Sequence, residues 1–174
     1  MKSIIVYYSY TGNTKKVAEI LQEYLRNKGD ADIIELTDLQ ETGKFFKQAA
    51  QAFRHAKADI PEVKFDLSTY DTICFGTPIW AFGPAPALNT YLSKCFGLEA
   101  KPIVLFATYG SGTGLNRCFD YMRKVLSKKG AKEFRQFSIQ QFKVNNKEFV
   151  LDKIGYTLLL LPNSAVGGSA SGGG

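Results

Sequence analysis

The chain has 174 residues, 45% of them hydrophobic, which is enough apolar material for the core of one α/β domain, and no apolar run reaches the roughly 18 residues of a membrane span. Lys and Arg outnumber Asp and Glu by 22 to 16, for a formal net charge of +6. The basic residues are spread along helical segments (Lys44, Lys47, Arg54 and Lys57, then Arg117, Arg123, Lys124, Lys128, Lys129 and Lys132) with no nucleic-acid motif beside them, so they read as solvated helix faces, with anion steering second, and not as a nucleic-acid surface.

Ile4 to Tyr8 is a short apolar, β-prone run and predicts the first strand. The preceding Met1-Lys2-Ser3 lends the start a superficial likeness to a signal peptide. Its apolar part, however, is too short and runs straight into polar sequence. Ser9 to Thr14 then supplies hydroxyls, one glycine and one asparagine. Directly after it, Val17, Ile20, Leu21, Tyr24 and Leu25 recur at helical spacing. Strand, tight polar loop and helix start follow one another without a gap. First-turn N–H groups have no intrahelical partner, and the helix dipole makes that end positive. A phosphate could rest there on backbone N–H groups and on the hydroxyls of Ser9, Thr11 and Thr14. The plainer alternative is a Ser/Thr-rich helix cap, with Asn13 in that role. Neither a Gly-Lys-Ser/Thr loop nor G-x-G-x-x-G is present.

Ala31 to Leu36 predicts the second strand, and Phe46, Ala49, Ala50 and Phe53 place a helix within 37–60 that ends at Ile60-Pro61. Thr72 to Gly76 predicts a buried third strand. The prolines and glycine of Thr77 to Pro86 then predict a loop that carries Trp80 and Phe82 at the strand's C-terminal end. Pro86 suits the first turn of a helix with Leu88, Tyr91, Leu92, Cys95 and Phe96 on one face. Ile103 to Ala107 is an all-apolar fourth strand, followed by the polar loop Thr108 to Gly114. Leu115, Cys118, Phe119, Met122, Val125 and Leu126 mark the next helix, Glu133 to Ile139 an edge strand, and Asn146 to Leu161 a final helix. Residues 1–162 thus form one domain, and the Gly/Ser/Ala-rich residues 163–174 read as a flexible tail. Alternating strands and helices predict a three-layer, doubly wound, five-stranded parallel sheet. Cys74, Cys95 and Cys118 are odd in number, widely spaced and on apolar positions. They read as buried reduced thiols of a cytoplasmic protein, in preference to metal ligands or disulfides. His55, the only histidine, sits in a basic helix and carries no catalytic role.

Ile5 to Leu21 resembles the flavodoxin signature: two apolar residues, an aromatic, a hydroxyl residue, then Thr-Gly-Asn-Thr and an amphipathic helix. With no twenty-residue insert in the last strand, the chain is similar to the shorter type of that family. The resemblance implies the strand order 2-1-3-4-5, with a crevice between first and third strands where the order reverses. It implies FMN as the cofactor, with Ser9, Tyr10, Thr11, Gly12, Asn13 and Thr14 around the phosphate. Thr77, Pro78, Ile79 and Trp80 would pack on one side of the flavin ring. Thr108, Tyr109, Gly110 and Gly112 would close the other. Trp80 has a core or partner-surface role as its alternative, and Tyr109 a solvent-facing one.

Three functions compete. An electron carrier that works with a redox partner protein is favoured, because the three loops show no convincing catalytic acid or base. An FMN-dependent NAD(P)H or quinone oxidoreductase, with a small-molecule donor and acceptor, is the alternative. A non-redox binding domain on the same fold comes third. A phospho-receiver would need an acidic cluster where this chain has Ser9 and Gly76-Thr77. Residues 77–86 and 108–114 contain no Asp or Glu, unlike the loops of typically acidic flavodoxins. A nearby carboxylate would oppose negative charge on the flavin by about 4 kcal/mol at 4 Å and an effective dielectric near 20. Its absence predicts a less negative potential for full reduction.

Overall fold

A computed structural model describes residues 1–39 and 57–159. The helix expected within 37–60 lies mostly outside these residues, and its described ends, 37–39 and 57–60, are not helical. His55, residues 160 and 161 of the last helix and the 163–174 tail also lie outside them.

Five strands form one parallel sheet: β1 (Lys2–Tyr8), β2 (Asp30–Leu36), β3 (Thr72–Trp80), β5 (Pro102–Tyr109) and β6 (Glu133–Gln140). Their order is β2-β1-β3-β5-β6, the expected doubly wound arrangement, and the two-residue β4 (Gly83–Pro84) pairs antiparallel with the end of β3. The helices are α1 (Asn13–Arg26), α2 (Pro86–Lys94), α3 (Leu115–Ser127) and α4 (Lys147–Leu159).

Period-two alternation along the strands builds the layers. Ile4, Val6, Ile73, Phe75, Ile103 and Leu105 face α2 and α3, where Leu88, Leu92, Phe119 and Met122 complete one core cluster. Their strand neighbours Ile5, Cys74, Val104 and Phe106 turn to the other face and meet Val17, Leu21 and Leu25 of α1 with Ile154 and Leu158 of α4. Both faces of the sheet are therefore covered, which explains the unbroken apolar runs of the central strands.

The third strand is longer than expected, running through Pro78 to Trp80 where a loop was predicted. Its pairing with β1 stops at Tyr7↔Gly76, while its pairing with β5 continues to Pro78↔Thr108. At Pro78 the strand thus has one neighbour only, and a residue without an N–H is tolerated there.

All three cysteines are buried and free. Burial pushes the Cys95 thiol up to about 11 and the Cys118 thiol up to about 12, from an ordinary 9.0, and it raises Cys74 as well. A thiol raised in the folded state keeps its proton there after the unfolded chain has lost it, so stability falls as pH climbs through this window. The urea midpoint should be flat from about pH 7 to 8.5 and fall from about pH 9 towards 12. A midpoint that held steady over that alkaline range would contradict the burial of these groups.

Candidate functional site

β1 stops at Tyr8, while β3 beside it and β5 on the far side of β3 continue to Trp80 and Tyr109. This difference in reach leaves a cleft at the C-terminal end of the sheet, at the point where the strand order reverses. It is lined by Tyr10, Thr11 and Asn13 after β1, by Pro78, Ile79 and Trp80 of β3, and by Thr108, Tyr109 and Gly110 at the end of β5. Gln141 completes the lining from a 3-10 turn, Gln141–Lys143, that follows β6. Sequence reasoning missed Gln141, because nothing in an edge-strand pattern signals that the residue beyond it reaches the centre of the sheet.

The other expected residues stand behind the lining. Ser9 Oγ accepts from the Lys15 N–H at 3.2 Å. Thr14 and Thr108, 1% and 4% exposed, share a hydrogen bond between their Oγ1 atoms at 2.8 Å, which ties the start of α1 to the end of β5. Thr77 Oγ1 donates to the Pro78 carbonyl at 2.8 Å and accepts from the Ala85 N–H at 2.9 Å. Gly112 lies in the wall of an adjoining recess of about 450 Å³ between Phe82 and the start of α3.

Gly12 precedes α1 with φ of 81°, a left-handed conformation that costs a side-chain-bearing residue about 1–2 kcal/mol. The space where a Cβ would project is open. The Lys16 N–H is the first to reach an intrahelical acceptor, the Gly12 carbonyl at 3.1 Å. Among the described residues the N–H groups of Asn13 and Thr14 have no partner. The first turn of α1 holds no acidic residue. Its two lysines are turned elsewhere, Lys15 to Glu35 at 2.8 Å and Lys16 to Asn145 at 2.7 Å. The positive end of the helix thus faces the cleft with bare amides and no counter-charge, an arrangement suited to a phosphate.

The segment after Trp80 is a hairpin and not the irregular loop expected. Trp80 pairs with Gly83, and Ala81 and Phe82 between them both take positive φ, 44° and 70°. Two such residues together fit a tight hairpin turn at a cost of about 1–2 kcal/mol each. Packing holds the strained turn in place. Phe82 lies on Gly114, where an added Cβ would come within 2.8 Å of the Phe82 Cα, and the Arg117 guanidinium sits 5.6 Å from the Phe82 ring centre. The Trp80 ring is thereby set edge-on to Tyr8 and Tyr10, with centroids 5.6 Å apart in each case. Among the described residues no Asp, Glu, Lys or Arg lines the cleft.

Residues 1–143 match the model of the family described as NADPH-dependent FMN reductase. The chain belongs to this family. Solved structures agree on the fold. An NADH:FMN oxidoreductase in its apo form superposes with a TM-score of 0.62 at 20% identity, covering 94% of this chain and 91% of the other. Oxidised flavodoxin 1 from Bacillus cereus gives 0.60 at 17% identity, covering 93% of this chain and 100% of the other. A flavoprotein from Lactobacillus acidophilus in complex with FMN gives 0.56 at 20%, covering 84% and 98%. With the family comes the cofactor: the protein is an FMN-binding flavoprotein with a flavodoxin-like fold. The cleft fits that group on its own terms, offering unpartnered amides at one end and the aromatic side chains of Trp80 and Tyr109 along its length. Among the described residues no helix is long and apolar enough to cross a membrane. None of their His, Cys, Asp and Glu cluster in a way that could hold a metal ion.

Gly114 has φ of 86° and no room for a side chain. Gly114→Ala should therefore lower stability by about 1–3 kcal/mol through strain and overpacking. It should also shift the emission of Trp80, the single tryptophan, as Phe82 is displaced. An unchanged denaturation midpoint with unchanged emission would show that the hairpin is not held by this contact.

Proposed function

We propose that the protein is an FMN-dependent oxidoreductase that takes reducing equivalents from a nicotinamide nucleotide and passes them to a quinone or similar small acceptor. Family membership supports this reading over the electron carrier that the sequence alone favoured. The structural observation that supports it is a cation, Arg117, at the recess beside Phe82, next to a cleft lined by no carboxylate among the described residues. Bound FMN supplies hydride acceptance and one- or two-electron release. The chain supplies position and field. Thr11 and the amides of Asn13 and Thr14 would hold the phosphate, while the Thr14–Thr108 hydroxyl pair and Ser9 fix the helix start. Pro78, Ile79 and Trp80 on one side and Tyr109 and Gly110 on the other would hold the ring.

A donor such as NADPH carries several negative charges, and a protein of net charge +6 attracts it. Arg117, exposed beside Phe82 at the adjoining recess, adds a cation next to the cleft. The carrier remains the second reading because the lining offers no charged acid or base among the described residues, and single-electron transfer needs none. Buried reduced thiols suit a cytoplasmic setting for either.

With FMN bound, the purified protein should oxidise NADPH catalytically when a quinone is present. Its potential for full reduction should be less negative than that of flavodoxins with acidic flavin loops. Sustained inertness towards NADPH and NADH, with fast electron exchange with a protein reductase, would instead establish the carrier. Thr11→Val should weaken FMN binding about tenfold or more, since a hydrogen bond to a charged group contributes about 1.5–3 kcal/mol. Fluorescence titration of FMN into the variant checks this, and an unaltered affinity would move the phosphate out of this loop.

A further inference from the structure

We propose that Gln141 pairs with the imide edge of the flavin ring and thereby determines which ring systems the cleft accepts; this rests on the FMN reading of the cleft. The β5–β6 register ends at Tyr109↔Gln140, so the next residue of each strand, Gly110 and Gln141, leaves the sheet side by side. Gln140 secures that junction, its Nε2 donating to the Gly110 carbonyl at 3.2 Å. The next side chain turns to the cleft. A Cβ on Gly110 would lie 3.6 Å from Gln141 Nε2, 3.8 Å from its Cδ and 3.9 Å from its Oε1. The whole carboxamide therefore stands over the side of Gly110 that lacks a Cβ, where an added methyl would just touch it, on the Tyr109 side of the cleft. Among the described residues this carboxamide takes no hydrogen-bond partner. Asn13, the other carboxamide in the lining, belongs to the first turn of α1, at the phosphate end.

The free edge of an isoalloxazine presents carbonyl, imide N–H and carbonyl in a row. A carboxamide carries one acceptor and two donors in one plane. Its oxygen accepts from the imide N–H while its NH₂ group donates to an adjacent carbonyl, so two parallel hydrogen bonds read the ring. A ring alkylated at the imide nitrogen keeps its shape elsewhere. It loses the donor and leaves the Gln141 oxygen facing an alkyl group.

Dissociation constants for FMN and for FMN methylated at the imide nitrogen, measured by fluorescence quenching with wild-type protein, Q141L and Q141A, test this. Wild type should prefer FMN by about tenfold or more, the effect of one unpaired polar group. Both variants should bind FMN more weakly and discriminate by less than about threefold, because the group that senses the methyl is gone. Two variants of different size separate lost pairing from altered packing. If wild type binds FMN and either variant keeps the full wild-type preference, Gln141 does not read the ring. If wild type binds neither flavin, the FMN reading falls and this assignment falls with it.

Discussion

Two peptide N–H groups at the start of α1, without a partner among the described residues, set the terms for the rest of the molecule. The two lysines of the first turn are engaged elsewhere, Lys15 with Glu35 and Lys16 with Asn145, and the Lys15 amide is capped by Ser9. Bare amides at a helix N-terminus are costly when buried and useful when they face an anion. They face a cleft here because β1 ends earlier than β3 and β5. The Thr14–Thr108 hydrogen bond then makes helix start and strand end one unit. The two loops that line the cleft from the α1 and β5 sides are therefore tied together.

The opposite wall is held differently, by strain balanced against packing. Ala81 and Phe82 both take positive φ, which a tight hairpin turn requires and which is costly for residues other than glycine. Pairing of Ile79 with Pro84, the bridge from Thr77 to Ala85 and the fit of Phe82 over Gly114 hold the turn closed. Trp80 is thus presented by a β-hairpin and not by a mobile loop. A rigid aromatic wall suits a planar cofactor that must accept and release electrons without a large change in its surroundings.

Charge divides the molecule between its surface and its cleft. The surface is basic overall, while the lining has no ionic side chain among the described residues. A neutral lining places no carboxylate against negative charge on the ring, and a basic exterior favours anionic donors. Both features fit a nicotinamide-dependent reductase better than a carrier built to dock through an acidic face.

The sequence by itself determined a parallel, doubly wound sheet, because apolar runs buried on both faces and helices of period 3.6 leave few topologies open, and its resemblance to flavodoxins supplied the strand order. It placed the helix start at the Ser9–Thr14 loop, since hydroxyls followed by an amphipathic run are local signals, but offered Asn13 as the cap where the structure has Gly12. Only tertiary structure decided where β3 ends. The tolerance of Pro78 depends on β1 having already stopped, which is a fact about a neighbouring strand. The same holds for the positive φ of Ala81 and Phe82, which Gly114 supports from more than thirty residues away, and for Gln141, which the β5–β6 register brings alongside Gly110. Periodicity and turn chemistry are written along the chain, whereas strand reach and register arise between segments and have no local signature.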